Sequence, residues 1–136
     1  MISFSIAKVV ISGTFRRNPD SLQKLYDELL GTSCQVLSPR SIEFDGDVFV
    51  RSKGEKTLPV KTIQDNHLAA IREADFMWLH CPEGYVGLSG AFELGYAYAH
   101  GIPVFAFMSP TDSMLGEYTR VCSSVYEAKR LALGPR

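Results

Sequence analysis

Residues 87–106 have the sequence Gly87-Leu-Ser-Gly-Ala-Phe-Glu-Leu-Gly-Tyr-Ala-Tyr-Ala-His-Gly-Ile-Pro-Val-Phe-Ala106, which predicts a loop, a helix and a strand in succession. Ser89 is a candidate helix N-cap, Gly101 is typical of a helix end, and Pro103 precedes an apolar run. We therefore expect Glu93 in or next to the first helical turn, where the helix dipole favours a negative charge. The carboxylate is either a nucleophile or binding anchor beside a glycine-lined loop, or only a surface partner of the dipole.

Strands and helices alternate along most of the chain, because β-branched or aromatic runs are followed by apolar residues spaced three and four apart. The expected strands are residues 7–12, 34–37, 75–80, 104–107 and, more weakly, 121–125, and the other expected helices are 18–31, 62–74 and 127–133. Residues 41–59 interrupt this alternation, and the turn signal Asp45-Gly46 predicts a hairpin or flap there. The pattern predicts an α/β fold: a Rossmann-like doubly wound sheet of about five mostly parallel strands, with helices on both faces.

Composition limits the class of protein. The 136 residues suit a single domain, and the net charge of −1 gives no reason to expect nucleic acid or an acidic membrane surface as a partner. No apolar run reaches the ~18 residues of a membrane span, and the N-terminus does not resemble a signal peptide. Cys34, Cys81 and Cys122 have no metal-type spacing. We expect a cytoplasmic protein without metal or cofactor.

Ligands bind beyond the carboxyl ends of the strands in sheets of this type. The loop Ser12-Gly13-Thr14-Phe15-Arg16 follows the first strand and offers backbone N–H groups, a hydroxyl and a guanidinium. These groups suit a phosphate or another anion, and an ordinary surface turn is the alternative interpretation.

Two further segments flank this expected site. The loop of residues 81–90 contains three glycines, which allow a ligand to approach the backbone closely, and it leads to Glu93. His67 falls on the apolar side of its helix, where a core role is the more frequent one, and Asp65 is expected in solvent.

At these residues the chain resembles the nucleoside 2-deoxyribosyltransferase-like superfamily, which includes the 2′-deoxynucleoside 5′-phosphate N-hydrolases. The resemblance covers about residues 9–110 and is strongest at Ala74-Asp75, at Gly87, at Phe92-Glu93-Leu94-Gly95-Tyr96-Ala97 and at Gly101-Ile-Pro-Val104. It implies cleavage or transfer at the N-glycosidic bond of a (deoxy)nucleoside or its 5′-monophosphate, through a Glu nucleophile and a glycosyl-enzyme intermediate. It also implies a homodimer or higher homo-oligomer, in which Ser113, Glu117 and Tyr118 are candidates to reach a neighbouring active site.

The resemblance also implies roles for particular residues. Glu93 matches the nucleophile, and His67 stands where the family usually has an Asp, eight residues ahead of the Asp that matches Asp75. Gly87 stands where a phosphate-binding Ser is usual, six residues before the nucleophile, and Val10 replaces a frequent aromatic. The expected catalytic residues are thus Glu93 and His67. The expected substrate-binding residues are Ser12, Gly13, Thr14, Arg16, Asp65, Gly87 and Ser89.

Other interpretations stay open at this point. A catalytically weak or inactive nucleotide-binding or sensing module would use the same fold and pocket, and an interaction protein would use the glycine loop only structurally. The segment Pro82-Glu-Gly-Tyr-Val-Gly87 also resembles, more weakly, the Pro-Gly-Gly-x-Gly-Thr-x-x-Glu loop of lysine-decarboxylase-like phosphoribohydrolases. Both resemblances imply a substrate in which a base is joined to a ribose phosphate.

Overall fold

A parallel β-sheet forms the centre of the computed structural model, which describes residues 5–42, 44–45, 51–52 and 58–134. The strands in chain order are β1 (Ala7–Gly13), β2 (Cys34–Ser38), β3 (Phe44–Asp45), β4 (Arg51–Ser52), β5 (Phe76–His80), β6 (Val104–Ala106) and β7 (Arg120–Val121). Five of them pair in parallel in the order β2-β1-β5-β6-β7, whereas β3 and β4 form a separate antiparallel pair. The predicted doubly wound α/β fold is confirmed.

Helices cover both faces of the sheet. They are α1 (Pro19–Gly31), α2 (Val60–Glu73), α3 (Leu88–Ala99), α4 (Ser113–Glu117) and α5 (Val125–Leu133). Apolar residues of α1 and α5 pack on one face, and those of α2 and α3 pack on the other. All five residues of β5 are buried, as its near-continuous apolar run predicts for a strand covered on both sides. In the part of the chain that the structure describes, no helix is long and apolar enough to cross a bilayer.

The first helix begins as its sequence predicts. The Asn18 side chain accepts a hydrogen bond from the Ser21 backbone N–H at 3.1 Å, and Pro19 occupies the first helical position. Leu22, Leu25 and Leu29 are fully buried against the sheet. Their burial fixes α1 over β1 and brings its N-terminal turn to the carboxyl edge of the strands.

The start of α3 differs from the prediction. The helix begins at Leu88, with Gly87 as its N-cap residue and no side-chain cap. The predicted capping role of Ser89 is therefore wrong, because Ser89 is already inside the helix and is exposed. Glu93 consequently lies in the second turn, next to the first as predicted, where the influence of the helix terminus on its charge is weaker.

The C-terminal elements are also displaced from their predicted bounds. The last strand is Arg120–Val121 and not 121–125, because Ser124 accepts a hydrogen bond from the Glu127 N–H and starts α5 at Val125. The short helix α4, capped by Asp112, occupies a segment for which the sequence predicts no helix or strand.

The β3–β4 pair confirms a hairpin within the insertion. Asp45 pairs with Arg51 as part of this ladder. Of the predicted turn Asp45-Gly46, Asp45 is the last residue of β3, and Gly46 lies outside the described residues.

Candidate functional site

Glu93 is brought to the sheet edge by two glycines. A Cβ atom on Gly90 would lie 3.2 Å from the Cα of Gly13, so α3 packs against the end of β1 without side chains between them. Gly13 has φ +109°, and a Cβ there would lie 2.2 Å from the carbonyl oxygen of His80. Because Glu93 follows Gly90 by three residues, it lies on the same side of α3 and is 7% exposed.

Both carboxylate oxygens of Glu93 have partners on α2. The Gln64 side chain donates a hydrogen bond from Nε2 to Oε2 at 2.9 Å. The His67 ring approaches the other oxygen, with Nε2 3.4 Å from Oε1. Gln64 and His67 are three residues apart and therefore share one face of the helix.

Two serines from the sheet edge hold the His67 ring. The Ser12 hydroxyl is 3.0 Å from Nε2, and the Ser38 hydroxyl is 2.6 Å from Nδ1. Ser12 lies near the end of β1, and Ser38 is the last residue of β2. The carboxyl ends of two neighbouring strands thus fix a histidine on the helix above them. We call these five residues, Ser12, Ser38, Gln64, His67 and Glu93, the Glu93 cluster.

The environment keeps Glu93 ionised. Burial by itself raises the pKa of the carboxyl group, but hydrogen bonds from His67, Gln64 and Ser12, together with the attraction of His67, outweigh it. The net result is a pKa below the ordinary value of 4.5, so the group is a carboxylate at neutral pH. The interpretation of Glu93 as a surface partner of the helix dipole is wrong, because the residue is buried and its charge is held by side chains.

The Ser12–His67–Glu93 contact is not a serine-nucleophile triad. In such a triad the acid orients one ring nitrogen while the other activates the serine. Here Ser12 and Glu93 share Nε2, and Nδ1 is bonded to Ser38. Ser12 is also completely buried, which keeps it from attacking a substrate. The group of this cluster that is suited to nucleophilic attack is the carboxylate.

The expected phosphate-binding loop follows Ser12 directly. The Thr14 backbone is tied to the end of β5: its N–H donates to the His80 carbonyl at 3.1 Å, and its carbonyl accepts from His80 Nδ1 at 2.6 Å. The Arg16 side chain is exposed at the rim. The guanidinium of Arg17 stacks 3.7 Å above the ring of Tyr85, which joins this loop to the loop before α3.

The other expected binding residues have different positions. Gly87 is half-buried at the N-cap of α3, and Ser89 is exposed on the first turn of that helix. Asp65 points to solvent and pairs with Lys61 at 2.6 Å, one turn earlier on α2. Asp65 is therefore engaged outside the Glu93 cluster, whereas Ser12 is part of it.

Sequence reasoning assigned no role to Gln64 or Ser38. A signal for Gln64 was present, since it precedes His67 by three residues on a predicted helix. Ser38 ends a predicted strand, and strand ends are where such sheets place functional groups. Neither signal identifies the residue that is contacted, because Ser38 and His67, like Gln64 and Glu93, are 29 residues apart in the chain.

A metal site is not found in the described part of the chain, where no three His, Cys, Asp or Glu side chains group as metal ligands. A cavity of about 470 Å³ lies on the opposite, α1, side of the sheet edge, and Glu93 does not line it. The Glu93 cluster and this cavity therefore lie on different faces of the sheet.

Comparison with known proteins supports the fold. The chain matches no family model, and no curated protein matches it. It is similar to a solved structure described as a conserved protein from Enterococcus faecalis V583, with 17% identity and a TM-score of 0.57. The match covers 79% of this chain and 66% of that one, so the chain spans just under two thirds of its neighbour's length. Fold and likeness together define a Rossmann-like, doubly wound α/β protein.

Proposed function

We propose that this protein cleaves or transfers across the N-glycosidic bond of a (deoxy)nucleoside or its 5′-monophosphate, with Glu93 as the nucleophile. The observation that carries the proposal is the buried, ionised carboxylate of Glu93 at the carboxyl edge of a parallel sheet. Most buried carboxylates are costly unless they are paired. Here Gln64 and His67 hold both oxygens in place, which suits attack on an electron-poor carbon.

The reaction would proceed in two displacements. A Glu93 oxygen forms a bond to the anomeric carbon as the bond from that carbon to the base breaks, and the base leaves with the electron pair and takes up a proton. Water, or a second base, then attacks the same carbon and releases the carboxylate. When water is the acceptor, it loses a proton in this step. The imidazole of His67 is in contact with Glu93, and we assign it the transfer of this proton.

Substrate positioning follows from the same proposal. Gly13, Thr14 and Arg16 would hold a 5′-phosphate at the rim, with Gly87 and Ser89 at the start of α3 on the other side. The sequence resemblance and the confirmed fold support assignment to the nucleoside 2-deoxyribosyltransferase-like superfamily. Homo-oligomerisation and a cytoplasmic location belong to this proposal as well.

A second candidate function is nucleotide binding without turnover. It is favoured by one observation: His67 stands beside Glu93 at the position where the family resemblance implies an Asp. This candidate predicts that a nucleotide stabilises the protein and that no product forms. A ligand at ~100 times its dissociation constant would raise the free energy of unfolding by about 2.7 kcal/mol.

The experiment that tests the proposal is product analysis by chromatography. The protein is incubated with a broad panel of nucleosides and nucleoside monophosphates, with and without a second free base. Free base and sugar phosphate indicate hydrolysis, and a new nucleotide indicates transfer. Wild-type protein that is inactive on the whole panel would remove the proposal, and so would a Glu93→Gln variant that is as fast as wild type.

A further inference from the structure

We propose that the cavity on the α1 side of the sheet edge binds a flat, uncharged heteroaromatic ring that carries an N–H donor. The cavity measures about 470 Å³, within the range of small-molecule sites. The first turns of α1, the end of β5 with the turn after it, and the residues after β6 enclose it. Because Glu93 does not line this cavity, the proposal does not rest on the proposed function.

The aromatic character of the cavity comes from two rings. Trp78 lies fully buried at the base, and Phe107 packs against it edge to face, with centroids 4.5 Å apart and planes at 62°. Phe107 and its neighbour Met108 are half-exposed and form an apolar wall. A flat ring placed on this wall would bury apolar surface against an aromatic and a polarizable thioether.

The charges around the cavity argue against an anionic ligand. Its lining includes one ammonium, Lys24, and two carboxylates, Glu28 and Glu83, so there is no excess of positive charge to hold a phosphate. The two titratable groups at the base are uncharged at neutral pH. Burial raises the pKa of Cys81 to about 11. Burial also lowers the pKa of His80, in spite of its bond to the Thr14 carbonyl.

The hydrogen bonds at the base leave an acceptor for the ligand. His80 Nδ1 must donate to the Thr14 carbonyl, 2.6 Å away, because a carbonyl oxygen can only accept. In the neutral ring Nε2 is then an acceptor. The Ser21 hydroxyl lies 2.7 Å from Nε2 and 3.0 Å from the Asn18 carbonyl oxygen, and it shares its one proton between these two acceptors. Because this proton is already used, Ser21 Oγ can make a further hydrogen bond only as an acceptor, through its lone pairs. A ligand N–H group is the complementary partner for these lone pairs.

The test uses Trp78, which is the single tryptophan of the chain, as a reporter inside the cavity. Adenine is the probe, because it is flat, uncharged at neutral pH and carries N–H donors. The protein is titrated with adenine and, separately, with adenosine monophosphate, with excitation at the red edge of indole absorption. Calorimetry of the same titrations gives the affinity directly. We expect a saturable change in Trp78 emission with adenine and weaker binding of the anionic monophosphate.

Variants locate the binding. Phe107→Ala should weaken adenine binding at least about fivefold, because base–aromatic stacking contributes about 1 kcal/mol or more. If that variant does not fold, Met108→Ala removes the other half-exposed wall residue, and the same loss is expected. Tyr126→Ala is the matched control, since Tyr126 is an exposed aromatic on α5 that does not line the cavity. Its adenine affinity should equal that of wild type.

Four results would overturn the proposal. They are wild-type protein that binds no adenine by fluorescence or calorimetry, monophosphate binding as tight as adenine binding, unchanged affinity in Phe107→Ala, and loss of the Trp78 response in Glu93→Gln. The last result would show that adenine binds at the Glu93 cluster instead of in this cavity. Failure of glycosidic cleavage, in contrast, would leave these titrations unaffected, so the two proposals fail separately.

Discussion

Two contacts that helix α2 makes among the described residues pair a basic side chain with an acidic one, and they differ in burial. Lys61 and Asp65 approach to 2.6 Å, with 85% and 54% of their side chains exposed. His67 and Glu93 lie 3.4 Å apart, with 11% and 9% exposed. The shorter contact is screened by water and salt and contributes little. The longer one is removed from solvent, so its loss would leave a buried carboxylate with only Gln64 and Ser12 to compensate its charge.

Burial, and not distance, separates the contact within the Glu93 cluster from the surface contact on this helix. Asp65 is one of the expected substrate-binding residues, and its carboxylate is held in solvent by Lys61. Gln64, its neighbour, faces inward and donates to Glu93. A single step of about 100° around the helix therefore divides the surface from the Glu93 cluster.

The largest expected effect is on catalysis. Glu93→Gln removes the proposed nucleophile and keeps the side-chain volume, so the rate of base release should fall by about 10⁴-fold or more. Asp65→Asn changes the charge of the exposed contact, and its rate should equal that of wild type. Both rates are measured by chromatography of the released base. An equal loss in the two variants would contradict the distinction between the contacts.

The next effect is on stability. His67→Ala leaves the Glu93 carboxylate buried without its partner, and the free energy of unfolding should fall by about 3 kcal/mol. Lys61→Ala should change it by no more than about 0.5 kcal/mol. Urea unfolding of both variants measures the difference. The double variant His67→Ala/Glu93→Gln removes the charge as well as its partner, so it should recover part of the lost free energy of unfolding. A double variant no more stable than His67→Ala would contradict the view that the buried charge causes the loss.

A smaller effect is expected for the amide donor. Gln64→Ala removes the hydrogen bond to Glu93 and should lower the free energy of unfolding by about 1.5 kcal/mol. Gln23 is a matched control, because it donates to Asp27 over the same 2.9 Å on the exposed side of α1. Gln23→Ala should cost at most about 0.5 kcal/mol. Equal losses for the two glutamines in urea unfolding would show that burial does not set the strength of these bonds.

The smallest effect is a difference in pH dependence. The folded-state pKa of Glu93 lies below the ordinary value of 4.5. The carboxylate therefore stabilises the fold above that ordinary value, and the contribution is lost as the pH falls through the folded-state pKa. Stability measured against pH should fall less steeply in Glu93→Gln than in wild type over this acidic range.

The control for this measurement is the His80 titration. Its folded-state pKa is also lowered, from an ordinary 6.5, so stability falls as the pH drops through that region in both proteins. Only the difference between wild type and Glu93→Gln reports on Glu93. Profiles that coincide below the ordinary value of 4.5 would contradict the ionised, side-chain-held carboxylate.

The sequence predicts the sheet well because its signals are local. The buried run of β5 and the Asn18-Pro19 start of α1 depend on neighbouring residues, and both are observed. The start of α3 was misplaced because Ser89 is a good cap by type, whereas close packing of Gly90 on Gly13 decides the position of the helix. That contact joins residues far apart in the chain, and no local pattern contains it.

The candidate site was predictable only in part for the same reason. Glu93 stands out by its glycine-rich setting, and His67 by its place on an apolar helix face. Ser38 and Gln64 became part of the site only when the fold brought β2, α2 and α3 together. The exposure of Asp65, in contrast, was predicted from the sequence, and the structure shows its carboxylate in solvent, paired with Lys61 one turn earlier.

The most direct test of the account is to look for the covalent intermediate. Wild-type protein is mixed with a nucleoside monophosphate that it cleaves, quenched during turnover, digested and analysed by mass spectrometry. The account predicts that the peptide containing Glu93 gains the mass of the sugar phosphate as an ester, and that Glu93→Gln shows no such gain. A sugar-phosphate adduct on a peptide without Glu93 would contradict it, as would base release by the Glu93→Gln protein at the wild-type rate.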